Sequence, residues 1–79
     1  MRSQDKQEVT TQWDAGDIGC GHLAAGLARA LSELSAGQSL WLITSDAGAP
    51  IDVPAWCRMT KHSLISATHP NYIICKKGN

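Results

Sequence analysis

The sequence lacks an excess of charge of either sign. Seven Lys and Arg residues are balanced by seven Asp and Glu residues, so the formal net charge is zero. Nonspecific nucleic-acid binding depends on basic side chains that displace counterions from phosphates. The composition therefore predicts no direct nucleic-acid binding, and any contact with RNA would have to be local.

Long apolar runs, internal repeats and low-complexity blocks are missing as well. A membrane-spanning helix needs about 20 consecutive apolar residues, and no stretch approaches that length. A chain of 79 residues builds one small hydrophobic core, which leaves no room for a two-substrate enzyme with a deep cleft. We therefore expect a single domain over residues 7–79, preceded by a flexible polar tail over residues 1–6.

Cysteines are few and odd in number, and no signal-peptide pattern precedes them. This argues against a secreted disulfide scaffold and predicts a cytoplasmic protein. Only Cys20 and His22 form a closely spaced ligand pair, whereas structural zinc sites usually combine two such pairs. We therefore expect no metal and no cofactor, and we expect Cys57 and Cys75 to serve packing in a helix and a strand.

The first half of the chain reads as strand, helix and strand. Residues 8–13 alternate apolar and polar side chains, which is typical of a strand. Residues 22–36 carry leucine and alanine at helical spacing, and Gly37 follows as a helix-ending glycine. Residues 39–44 form a nearly continuous apolar run, as expected for an interior strand.

The second half adds a helix and a hairpin. Residues 51–60 can form a short helix, which Pro54 should restrict to a start near residue 52 or 53. Residues 63–68 and 71–76 are β-prone and close enough to pair as antiparallel strands. The order β-α-β-α-β-β predicts an α/β fold, an α+β two-layer sandwich in which two helices cover one face of a mixed four-stranded sheet.

Cys20 is the chemically most informative residue because it lies where glycine-rich turn residues give way to the first helical pattern. Unpaired N–H groups and the positive end of the helix dipole favour a thiolate there. We expect Gly19, Gly21 and His22 to support the thiolate and to hold the Cys20 pKa below the free value of about 8.5, while Asp17 opposes this effect.

Two motifs resemble the TusA/SirA-like sulfur-carrier family. Asp14-Ala15-x-x-Ile18-x-Cys20 matches the family's Asp-Ala-Arg-Gly-Leu-x-Cys-Pro-x-Pro entry into its first helix. Asp52-Val53-Pro54-Ala55-Trp56-Cys57 is similar to the Asp-Ile-Pro-aromatic segment of its second helix. With the terminal hairpin, the resemblance spans about residues 9 to 78, and it implies the same two-layer fold.

The resemblance also implies a function. In the family, the cysteine that corresponds to Cys20 takes sulfane sulfur as a persulfide from a donor protein, which is a cysteine desulfurase or a rhodanese-like protein. It then passes this sulfur to an acceptor protein thiol. This chain departs from the family where Cys20-Gly21-His22-Leu23 replaces Cys-Pro-x-Pro. The alternative is a non-catalytic interaction or regulatory module that keeps the fold. Separately, four basic residues could form a small patch near the hairpin that docks an acidic partner: Arg58, Lys61, Lys76 and Lys77.

Overall fold

The chain forms two helices and four strands in the predicted order. The computed structural model describes residues 9–77, and of Cys20 it describes the backbone; the predicted tail over residues 1–6 lies outside this range. The elements are β1 (Thr11–Gly16), α1 (Cys20–Ser32), β2 (Ser39–Thr44), α2 (Ala49–Thr60), β3 (Ser63–Thr68) and β4 (Asn71–Cys75).

The strands form one mixed sheet in the order β1-β2-β4-β3. β1 and β2 are parallel, whereas β4 runs antiparallel to both β2 and β3. The interior position of β2 is as predicted from its apolar run, and β3 and β4 form the predicted antiparallel hairpin. The α+β fold with a mixed four-stranded sheet is therefore confirmed.

The core lies between the helices and one face of the sheet. The α1 side chains that enter it are spaced four residues apart, which places them on one stripe of the helix. Alternate residues of β2 and β4 meet this stripe because successive strand residues point to opposite faces. The buried members include Leu23, Leu27 and Leu31 of α1, Val53 and Cys57 of α2, Leu40 and Leu42 of β2, and Tyr72 and Ile74 of β4.

Two predicted boundaries in the first half are wrong. β1 begins at Thr11 and continues to Gly16, because residues beyond Trp13 pair with β2. α1 ends at Ser32, well before Gly37, and Gly37 adopts φ +86° in the following turn. The last turn tightens, because the N–H groups of Glu33 and Leu34 donate to the carbonyls three residues earlier, those of Ala30 and Leu31. Beyond the helix, the Leu34 carbonyl accepts a hydrogen bond from Lys76 Nζ at 2.7 Å.

The prediction that Pro54 delays the second helix is also wrong. α2 begins at Ala49 and contains Pro54 in its interior. A helix-interior proline removes one hydrogen bond and costs about 3 kcal/mol. Ala49, Val53 and Cys57 recur every four residues and are all buried, so burial of this stripe holds the helix together across the proline.

Within the residues that the structure describes, neither α1 nor α2 is long and apolar enough to cross a membrane.

Candidate functional site

The candidate site lies at one edge of the sheet. Because β1 and β2 are parallel, their carboxyl ends meet at the same edge, and both helices start from the connections that leave it. Cys20 is the first residue of α1. The backbone of the predicted reactive cysteine is therefore placed at the edge where α1 and α2 both begin.

The connection between β1 and α1 is fixed to β2 by hydrogen bonds. Gly16 adopts φ +63°, a left-handed conformation that glycine accepts without the steric cost of a side chain. Its carbonyl accepts hydrogen bonds from Ser45 N–H at 2.8 Å and from the buried Thr44 hydroxyl at 3.2 Å. Its own N–H donates to Asp14 Oδ1 at 3.1 Å. The chain thus leaves β1 in a defined direction before it reaches Cys20.

The first turn of α1 has no side-chain cap. Gly19 caps the helix in an extended conformation and brings no side-chain hydrogen bond, and the first turn holds no acidic residue. The Gly19 carbonyl accepts from Leu23 N–H at 2.9 Å, whereas N–H groups earlier in the turn have no partner within a helix. Gly19, Gly21 and His22 are all exposed. Because α1 starts at Cys20 rather than at the predicted residue 22, Gly21 is the second helical residue.

A close contact between α1 and β1 holds this helix in place, and sequence reasoning missed it. Gly26 faces the indole ring of Trp13, and a Cβ at Gly26 would lie 2.7 Å from Trp13 Cζ2. No side chain larger than hydrogen fits without movement of the ring or the helix. A glycine within an otherwise strong helical stripe is the signal that could have indicated such a close approach.

The other two cysteines lie away from this edge. Cys57 is only 2% exposed, and burial raises the pKa of its thiol to about 11. Cys75 is half-buried at the end of β4 and pairs with Ser39, the first residue of β2, so it lies at the opposite edge of the sheet. The predicted packing of Cys57 is confirmed. Among the described residues, no three His, Cys, Asp or Glu side chains gather as they would around a metal ion.

A tyrosine lies buried next to the same edge. The Tyr72 hydroxyl is 2.7 Å from Nδ1 of His69, and Thr44 N–H donates to the neighbouring Pro70 carbonyl at 2.9 Å. Burial, with a smaller effect from Asp46, raises the pKa of Tyr72. This group keeps the β3–β4 turn against the end of β2, and no local sequence pattern indicated it.

The predicted basic patch is only partly assembled. Lys61, Lys76 and Lys77 line a shallow hollow together with His62, whereas Arg58 is exposed outside it. The hollow lies at the ends of α1 and α2 that are remote from Cys20. The lysines therefore do not contribute positive charge to the start of α1.

Comparison with known sequences shows which protein family this chain resembles. A sequence model of the family described as Sulfurtransferase TusA matches residues 24–76. The chain belongs to the TusA family. The match comprises most of α1, all later strands and α2, and it begins after Cys20 and the loop that precedes it.

Two curated relatives of this TusA-family chain come from Neisseria meningitidis, one from a serogroup A strain and one from a serogroup B strain. Both are named as candidate sulfur carrier proteins. Each is 40% identical to this chain over 40 residues, which cover 51% of this chain and 54% of the relative. The similarity thus spans about half the length of each curated relative.

Proposed function

We propose that this chain is a sulfur carrier that accepts sulfane sulfur as a persulfide on Cys20 and passes it to an acceptor protein thiol. The observation that carries the proposal is the position of Cys20 as the first residue of α1, in a turn without a side-chain cap or an acidic residue. Membership of the TusA family and the names of the Neisseria relatives support it. Residues 7–79 would act as one domain.

The chemistry needs no cofactor. The Cys20 thiolate attacks the outer sulfur of a donor persulfide, and a new S–S bond forms while the donor's S–S bond breaks. The donor cysteine leaves as a thiolate with the electron pair, so no external oxidant or reductant is consumed. An acceptor thiolate then attacks the outer sulfur on Cys20 in the same manner. The donor would be a cysteine desulfurase or a rhodanese-like protein.

The backbone supplies the stabilisation that this chemistry requires. A helix N-terminus contributes about 0.3–1 kcal/mol to an exposed anion, and one pKa unit corresponds to about 1.4 kcal/mol. The dipole alone therefore supplies only part of the stabilisation that a reactive thiolate needs. Hydrogen bonds from the N–H groups of Gly21 and His22 would add to it. Asp17, exposed in the preceding loop, would act against them.

Sulfur loading tests the assignment directly. The chain is incubated with thiosulfate and a rhodanese, and its intact mass is measured under non-reducing conditions. We expect a gain of one sulfur atom that is lost in Cys20→Ser and kept in Cys75→Ser, a matched change at the remote edge. Loading that persists in Cys20→Ser and disappears in Cys75→Ser would reject the assignment.

The reactivity of the thiol distinguishes the carrier from the alternative, a docking or regulatory module. The module is favoured by the replacement of both motif prolines by Gly21 and Leu23, and by the family match that begins only at residue 24. We expect alkylation of Cys20 to follow a pKa below about 8.5, lowered further in Asp17→Gly. A pKa at or above the free value would favour the module.

A further inference from the structure

A groove separates α1 from α2 on the outer side of the helical layer. It has a volume of about 240 Å³ and is mostly apolar. Leu23, Leu27 and Val53 lie at its buried floor, and the Trp56 and Met59 side chains form one wall. The lining also includes Ala24, Ala55 and one acidic residue, Asp52. We refer to the space lined by these eight residues as the interhelical groove.

Two large apolar side chains of α2 are exposed, and one of them, Met59, lines this groove. Met59 is 73% exposed and Ile51, on the same helix, is 77% exposed, the two highest values among the large apolar side chains of the described residues. Exposed apolar surface gathered on one face commonly marks a binding site. Ile51 and Met59 lie outside the buried stripe of α2, so packing against this sheet does not require either side chain to be apolar.

The groove continues into the basic hollow. Trp56 and Met59 line both spaces, and the Trp56 ring stacks on His62 with centroids 5.5 Å apart. Lys61, Lys76 and Lys77 complete the basic hollow, whose lining includes no Asp or Glu.

Hydrogen bonds fix part of this basic end. Lys76 Nζ is anchored on the Leu34 carbonyl at 2.7 Å, and Lys77 N–H donates to His62 Nδ1 at 3.0 Å. Burial and the two neighbouring lysines lower the pKa of His62, in keeping with a positive potential there. The positive charge is thus held at one end of the groove.

The groove has a direction relative to Cys20. Its apolar part includes Leu23, one turn after Cys20, whereas its basic end lies beyond the last turn of α2. A helix of 12 residues spans about 18 Å. A partner bound along the groove would therefore have distinguishable ends, one near the reactive cysteine and one near the lysines.

We propose that the interhelical groove docks a partner-protein segment that carries a bulky apolar side chain with acidic residues on one side of it. The apolar side chain would enter between Leu27 and Met59, and the carboxylates would meet the lysines. The charge complementarity sets the orientation, which brings the part of the partner on the other side of the apolar side chain towards Cys20. That this partner is a sulfur donor or acceptor rests on the proposed function.

The test uses the full chain, labelled with ¹⁵N, and a synthetic peptide that contains one leucine followed by a run of glutamates. We expect backbone NMR shifts along α1, α2 and Lys77, and an affinity that decreases with added salt. Met59→Ser and Lys77→Glu should each weaken binding by roughly fivefold or more. Ile65→Ser and Arg29→Glu are the matched controls: one removes an exposed apolar side chain and the other reverses a positive charge, both outside the groove. Both should leave the affinity unchanged.

Several outcomes would overturn the proposal. These are no binding of the glutamate peptide at millimolar concentration, equal binding of a peptide with lysines in place of the glutamates, or shifts on the other sheet face around Trp41. The proposed function fails separately. Loading of Cys20 from polysulfide requires no docked partner protein, so absence of loading in the wild type would refute the carrier and leave the groove result intact.

Discussion

Replacing Gly26 by alanine should destabilise this protein, although the same change in an exposed helix usually stabilises. Gly26 lies in the middle of α1, where it approaches the Trp13 indole of β1. An added Cβ would lie 2.7 Å from Cζ2 and 2.9 Å from Cζ3, and closer still to Cη2. These are rigid ring atoms, so either the indole or the helix has to move.

Two opposing terms decide the magnitude. Alanine in place of glycine within a helix gains about 0.5–1 kcal/mol because the unfolded chain loses freedom. Overpacking costs about 1–3 kcal/mol. We expect the free energy of unfolding to fall by about 0.5–2 kcal/mol, and each 1 kcal/mol lowers the melting temperature of a domain of this size by about 4–8 °C.

The assay is urea unfolding followed by far-UV circular dichroism, which avoids the fluorescence of Trp13 itself. Gly21→Ala is the matched control, because nothing lies within 4 Å of a Cβ at Gly21 in the same helix. It should raise stability by a few tenths to about 1 kcal/mol. In a Trp13→Leu background the shorter side chain leaves room, and Gly26→Ala should become stabilising.

Equal stabilisation by Gly26→Ala and Gly21→Ala in the wild-type background would refute this reasoning. It would mean that the indole does not pack against α1, and that another contact positions the helix that begins at Cys20. Destabilisation that persists unchanged without Trp13 would lead to the same conclusion.

Three further predictions concern the other end of the helices and the buried cysteine. The free energy of unfolding should fall as the pH drops below about 6.5, because burial and the neighbouring Lys77 and Lys76 lower the pKa of His62 in the folded chain, so the unfolded chain binds the proton more readily. His62→Gln should remove this contribution in urea titrations at pH 7.5 and 5.5. Cys57, with a pKa of about 11, should resist iodoacetamide at pH 8 until urea unfolds the chain, and rapid native-state labelling seen by mass spectrometry would contradict its burial. Lys76→Met removes the hydrogen bond to the Leu34 carbonyl and should lower the free energy of unfolding by about 1–2 kcal/mol. Lys77→Met should change the free energy of unfolding in urea by less than about 0.5 kcal/mol. Equal effects of the two substitutions would argue against that hydrogen bond.

Local sequence patterns were sufficient to predict the elements whose bounds do not depend on contacts with other elements. The bounds of β2 follow from an apolar run between turn residues, and the hairpin follows from two β-prone runs separated by His69 and Pro70. The start of a helix close to Cys20 follows from glycines that give way to a leucine stripe. Hydrophobic periodicity and turn chemistry are properties of adjacent residues, so one sequence is enough to show them.

Contacts between distant residues decided the rest. β1 extends to Gly16 because β2 offers a parallel partner, and α2 continues through Pro54 because its stripe is buried. The interhelical groove and its basic end exist only because the fold sets α2 beside α1 and brings Lys76 next to Leu34. Such features depend on contacts between residues tens of positions apart. A local sequence pattern carries no information about the free energy of those contacts. The sequence alone therefore determined the elements and the candidate cysteine, and the tertiary structure decided what surrounds them.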